Sequence, residues 1–203
     1  MKKLLRNIIN KAWSYDAYQT KVYELFDQGK TTGMNHSVAM MNYTKLNIFR
    51  MKRLDKTTRL TENTITQIQR ETRKVIWLVI TEAWCGDAAQ IMPVINKLAL
   101  ENEYIDLNII LRDENLGIMD QFLTNGTRSI PILIILDAKT LEVLNRWGPR
   151  PLELQKIVMD AKFNAINNPG ESKGIWAEAK RKAQLWYSKD KSKTIQEEIL
   201  NIM

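Results

Sequence analysis

Residues 74–81, KVIWLVIT, constrain this chain more than any other segment. A near-continuous run of β-branched and apolar side chains, with no polar alternation, is what a strand covered on both faces requires. Such a strand needs helices on both sides of its sheet, which makes the fold class α/β. The residues around it fit that requirement. After WCGDA, the positions Ala88, Ile91, Met92, Ile95, Leu98 and Ala99 recur at helical spacing. Residues 104–111 (YIDLNIIL) alternate as a second strand does, and Leu116, Met119, Phe122 and Leu123 mark a short helix stopped by Asn125-Gly126. Residues 131–136 and 141–147 read as strands joined by the polar DAKT, a hairpin, and Leu154, Ile157, Val158, Ala161 and Ala165 describe a further helix. The expected order over residues 75–166 is β-α-β-α-β-β-α, a mixed sheet.

The flanks read as helices. Residues 12–29 and 37–60 are two amphipathic segments around the loop GKTTGMNH, and in the second Val38, Met41, Leu46, Phe49 and Leu54 are the expected inward positions, with Ser37 as N-cap. A short helix is expected over 61–70 with Thr61 as its cap. The tail after NNPGESKG reads as one amphipathic helix carrying Trp176, Ala179, Ala183, Trp186, Ile195, Ile199 and Ile202. The expected organisation is a helical extension (1–71), an α/β domain (72–166) and a C-terminal helix packed on it (167–203). A chain of 203 residues suffices for one core with such additions.

Charge is uneven along this plan. Residues 1–74 carry 15 Lys and Arg against 6 Asp and Glu, whereas residues 75–166 carry 8 against 12. The basic residues are scattered through amphipathic patterns without aromatic interleaving, so no nucleic-acid partner is expected. The basic start is broken at Arg6, Asn7 and Asn10, and no apolar run approaches the roughly 20 residues of a bilayer span. No membrane span is expected, and a cytoplasmic location is. Metal-ligand spacings, P-loops and dinucleotide fingerprints are missing, so neither a metal nor a cofactor is expected. The Met34, Met40, Met41 and Met51 patch reads as helix packing.

The single cysteine excludes an intrachain disulfide and any Cys-based zinc cluster, and fits a reducing compartment. It stands at a strand-to-helix turn, where free N–H groups and the helix dipole favour an anion, so the expected effect on the Cys85 thiol is a lowered pKa. Asp87, nearby in the helix's first turn, opposes a thiolate and also offers a cap, leaving its net sign open. Lone His36, in the preceding loop, reads as solvated rather than as a base for Cys85.

The order of elements, together with Glu82-Ala83-Trp84-Cys85-Gly86, Pro93 and Ser129-Ile130-Pro131, resembles the thioredoxin fold over residues 72–166. YTKLNIFRMKRLDK, WCGDAAQ, RDEN and TNGTRSIP resemble more closely an uncharacterised bacterial branch of thioredoxin-like proteins with an N-terminal helical extension. The resemblance implies a redox thiol at Cys85 within the motif Trp84, Gly86, Asp87 and Ala88. It also implies a cis-proline at Pro131 that opens the Ile130 backbone as a substrate groove. Arg128 beside that loop could stabilise a thiolate, grip a substrate carboxylate or make a surface salt bridge, and Asp113 could give polar support or cap the next helix. Two departures stand out: the resolving cysteine is replaced by Ala88, and the family's buried acid by Val79. A dithiol cycle within one chain is therefore not expected.

Two functions remain open. In one, Cys85 works as a monothiol on a protein or low-molecular-weight disulfide and an external thiol resolves it. In the other, the fold is a non-catalytic module docking a protein partner through the Ile130–Pro131 groove. An iron–sulfur carrier, which would need a cysteine from each of two protomers, is the third and weaker reading. Oligomeric state is not indicated.

Overall fold

The structure is a computed structural model and describes residues 2–203. Helices α1 (Lys2–Ile9), α2 (Tyr15–Asp27), α3 (Val38–Thr57) and α4 (Glu62–Ile68) precede the sheet. Strands β1 (Val75–Thr81), β2 (Ile105–Leu111), β3 (Ile132–Asp137) and β4 (Val143–Trp147) follow, interleaved with α5 (Gly86–Leu100), α6 (Leu116–Met119) and α7 (Leu152–Asn167). The sheet order is β2-β1-β3-β4, with β2 parallel to β1 and the β1–β3 and β3–β4 pairs antiparallel. This is the mixed α/β order expected from the sequence. Every residue of β1 is buried, as its unbroken apolar run demands. No helix among the described residues is long and apolar enough to cross a membrane.

The flanking helices share the sheet's core. Leu5, Tyr18, Met51, Ile68, Tyr187, Ile195 and Ile199 join β1, α5 and β3 in one buried cluster. Trp13 exchanges both backbone hydrogen bonds with Ile109 (2.9 and 2.8 Å), so the segment before α2 covers part of the open edge of β2. Ser14 caps α2 and Thr61 caps α4, each accepting from the N–H three residues on.

Three local expectations differ from the structure. The sequence reading puts no helix before residue 12, yet Lys2–Ile9 forms α1 because Leu5 and Ile8 bury together one turn apart. The tail expected as one helix is two, α8 (Ser172–Asp190) and α9 (Lys193–Leu200), after a 3₁₀ turn at Pro169–Glu171. Lys191 and Ser192 both take left-handed backbone (φ 52° and 68°), which turns α9 back so that Ile195 and Ile199 enter the core. No glycine or proline marks this break. The Asp190 carboxylate instead receives the Thr194 N–H and hydroxyl at the new helix's start.

The third difference concerns α3. Val38, Leu46 and Phe49 lie on its exposed side (78, 47 and 62% accessible), while Thr44, Asn47 and Met51 face inward. The inward stripe is largely polar because its partners are backbone groups and hydroxyls. Ser37 holds the N-cap position but makes no side-chain cap bond.

The turn from β4 into α7 sets the shape of the Pro131 loop. Both Ile130–Pro131 and Gly148–Pro149 are cis. Gly148 has φ +113°, and a Cβ there would strike the Pro131 carbonyl oxygen, a backbone atom with no freedom to yield. Gly148→Ala is expected to lower stability by about 2 kcal/mol or more, read as a drop in the denaturation midpoint. An unchanged midpoint would contradict the close approach.

Candidate functional site

The loop between β1 and α5 is held from the N-terminal side. Ala83, 4% exposed, donates its N–H to Thr32 Oγ1 (2.8 Å) and accepts at its carbonyl from Asn47 Nδ2 (2.9 Å). Arg50 Nη1 in turn donates to Asn47 Oδ1 (3.0 Å), fixing which end of the amide faces the loop. Both backbone polar groups of this buried residue are thus satisfied by side chains from the loop before α3 and from α3 itself. Thr44 and Thr31 share a further buried hydroxyl contact.

Cys85 follows as the N-cap residue of α5. Its Sγ accepts from the Ala88 N–H (3.4 Å) and donates to the Ile130 carbonyl (3.3 Å). The sulfur therefore does bridge the helix start and the loop before Pro131. The expected low pKa is not what this setting gives. Burial first, and the Asp87 charge second, push the thiol from 9.0 up to about 12, against the opposing pull of the Ala88 and Asp87 N–H groups and of Arg150. The helix terminus acts in the expected direction, but desolvation outweighs it.

Asp87 does not cap α5. Its Oδ2 receives Arg150 Nε (2.7 Å) and its Oδ1 the Tyr187 hydroxyl (2.9 Å), tying the helix start to the β4–α7 turn and to α8. Ala88 is buried where a resolving thiol would stand, and Val79 is fully buried between Ile109 and Leu133. Trp84 lies under Arg112, whose guanidinium carbon is 4.8 Å from the ring centre, and Arg112 Nε also pairs with Asp113 (2.8 Å). Asp113 donates its N–H to Glu82 Oε1 (2.9 Å), so it supports the loop from beneath. Arg128 is spent elsewhere: both its Nε and Nη2 reach Asp120 at the surface. Ile130 and Pro131 are buried, and the Ile130 carbonyl is already taken by the sulfur. His36 is exposed and accepts the Thr31 N–H, with no contact to Cys85.

The open space at Cys85 lies on another side. A cleft of about 410 Å³ is bounded by α3, the start of α5, and α7 and α8, with Met40, Tyr43, Leu46, Trp84 and Trp176 supplying apolar walls. Arg50, Lys180 and the Arg150–Asp87 pair border it, and neither Arg50 nor Lys180 has a carboxylate within ion-pair distance among the described residues, although the Asp87 charge acts on Arg50. Lys180 rests against Tyr43 instead, 5.4 Å from its ring centre and 3.0 Å from its hydroxyl. Gly86 faces Arg50 Nη1, which a Cβ there would approach to 3.6 Å. Sequence reasoning missed Thr32, Asn47, Arg50, Arg150 and Tyr187. One signal was present: Met40, Tyr43, Asn47 and Arg50 recur at three- and four-residue steps on a single helical face. Among the described residues no cluster of His, Cys, Asp and Glu fit to hold a metal ion occurs.

Glu82 is the other residue that the sequence reading left without a role. It is fully buried, its Oε2 has no partner, and burial raises its carboxyl above the ordinary 4.5. The folded chain therefore holds a proton that the unfolded chain releases. The Glu82 contribution to stability is full below the unfolded value and is lost as pH rises through the folded one. Glu82→Gln keeps an acceptor for the Asp113 N–H and removes this dependence. Its melting temperature is expected to exceed the parent's near neutral pH, the gap closing toward about pH 4; a gap that widens on acidification would refute the assignment. Asn47→Ala leaves the Ala83 carbonyl buried and unpaired, and is expected to cost about 1–3 kcal/mol in chemical denaturation.

No curated protein matches the chain. Solved structures that match include a protein of unknown function from Pseudomonas aeruginosa, 20% identical, with a TM-score of 0.45 over 87% of this chain and 98% of that one. An HIV epitope-scaffold is 21% identical, with a TM-score of 0.44 over 77% of this chain and 93% of that one. The sequence model described as thioredoxin matches residues 33–162, a span that starts ahead of α3, takes in the whole sheet and ends inside α7. With its β1–Cys85–α5 turn set against a cis-Pro131 loop, the chain belongs to the thioredoxin family.

Proposed function

We propose that this chain is a thioredoxin-fold binding protein, docking a partner segment in the cleft between α3, the start of α5 and α8, with Cys85 serving as a protonated structural thiol. The observation that carries this reading is the setting of the sulfur: buried, donating to Ile130, accepting from Ala88, with its pKa pushed to about 12. At neutral pH such a thiol stays protonated. Exchange with an external thiol needs a thiolate and access along the sulfur–sulfur axis. Neither a resolving thiol nor its base is present at Ala88 and Val79.

The cleft argues for the occupant. Apolar walls beside two cations without carboxylate partners suit a segment that presents an aromatic or aliphatic side chain next to a carboxylate. The monothiol reading keeps one observation in its favour, that the sulfur itself borders this cleft.

Alkylation of the native protein across a pH series separates the two. The binding reading expects slow labelling that climbs only above about pH 10, and an apparent pKa below about 8.5 would overturn it in favour of thiol exchange. Short synthetic peptides pairing Trp or Phe with Glu test the cleft directly. Their binding is expected to survive Cys85→Ser and to weaken roughly tenfold or more in Arg50→Glu, where attraction becomes repulsion. Loss of binding in Cys85→Ser with an unchanged Arg50→Glu would sink the proposal.

A further inference from the structure

A second cavity, of about 580 Å³, opens away from the Pro131 loop, where the end of α3, the turn into α4 and the α8–α9 junction meet. Arg53, Arg59, Lys191 and Lys193 border it, and among the described residues no Asp or Glu does. None of the four has a carboxylate partner; Arg59 donates only to the Lys56 and Thr58 carbonyls. Three acids on the adjoining segments are held by other groups, and the exposed Glu62 and Glu197 do not line the cavity. Asp55 receives Tyr15 and Gln19, Asp190 receives Thr194, and Asp87 receives Arg150 and Tyr187. Four like charges around one space repel each other. Arg53 also acts on Arg50, whose guanidinium pKa is lowered first by burial and then by Arg53, with Asp87 opposing.

The walls add neutral hydrogen-bonding groups rather than apolar surface alone. Thr57, Thr61, Ser188, Gln90 and Gln184 line the cavity. Thr58, 5% exposed, contributes a buried hydroxyl that has no partner within the protein. The site is also built on fixed elements. Buried Gln196 of α9 accepts the Thr61 N–H (3.0 Å) and donates to the Arg59 carbonyl (3.1 Å), so the turn carrying Arg59 and the helix following Lys191 move as one.

We propose that this cavity binds a small anion carrying two linked phosphate groups, as free pyrophosphate or as the diphosphate of a nucleotide. A single phosphate would leave most of the cationic rim unpaired and most of the volume empty. A diphosphate offers several anionic oxygens to guanidinium, ammonium and hydroxyl donors at once. Cys85 does not line the cavity.

Calorimetric titration of the full chain at low salt tests this, with pyrophosphate, inorganic phosphate and ADP as probes. Saturable binding of one pyrophosphate, tighter than phosphate, is the expected result. ADP binding more tightly than pyrophosphate would identify the nucleotide as the source, and ADP binding no more tightly would identify the free anion; either supports the site. Arg53→Gln with Lys193→Gln is expected to weaken binding by roughly a hundredfold, about tenfold for each cation lost. Lys3→Gln with Lys11→Gln, which removes the same charge from a distant exposed surface, is expected to leave affinity unchanged, as is Cys85→Ser. Absence of saturation, equal weakening by the two double variants, or tighter binding of a single-stranded oligonucleotide than of pyrophosphate or ADP would overturn the proposal.

Discussion

The peptide group of Ala83 is the constraint on which the site depends. It lies at the end of a strand buried on every residue, where no neighbouring strand is in register to receive it. A buried N–H and C=O left unpaired there would cost several kcal/mol together. Thr32 and Asn47 remove that cost, and in doing so they decide what α3 must look like. Its inward stripe carries hydrogen-bonding side chains where a packing helix would carry leucines. Val38, Leu46 and Phe49 lie on its outside, while Met51 stays buried. The helices before the sheet are thus part of the turn that carries Trp84 and Cys85.

That arrangement sets the balance of forces on the sulfur. A helix N-terminus favours a nearby anion by up to about 2 kcal/mol in a well-placed geometry. The rise of the thiol from 9.0 to about 12 corresponds to roughly 4 kcal/mol in the other direction. Burial wins because the loop is drawn inward by α3 and closed from the other side by Asp87, which Arg150 and Tyr187 hold in place. Cys85 keeps the place of a thioredoxin nucleophile at the start of α5, while its surroundings push the thiol pKa up rather than down.

The central fold was legible because its signals are local. A six-residue apolar run around Trp77, helical spacing from Ala88 to Ala99 and the polar DAKT turn each follow from neighbouring residues. That Pro131 stands beside Cys85 was expected only from the resemblance to the thioredoxin fold, and the bond from the sulfur to the Ile130 carbonyl agrees with it. Beyond that, the decisive contacts cross long stretches of chain: Thr32 to Ala83, Asp87 to Tyr187, Arg59 and Thr61 to Gln196. No periodicity encodes them. Hydrophobic spacing even pointed the wrong way on α3, because it assumes that inward positions are apolar. The α8–α9 break escaped notice for a related reason: Lys191 and Ser192 adopt left-handed backbone because tertiary burial of Ile195 and Ile199 rewards the turn, not because either residue prefers it.

The returning helix α9 has a bearing on how the protein comes to be folded. Besides Gln196, its Glu198 receives the Trp147 indole and the Leu152 N–H, and the Ile202 carbonyl just beyond it receives Asn145. One short helix near the C-terminus therefore completes hydrogen bonds for β4, α7 and the α3–α4 turn. Sequence separations as long as 137 residues place these among the slowest contacts to find one another. During synthesis the turn at residues 58–61 emerges long before its partner exists, and stays unsettled until residues 195–202 have been made.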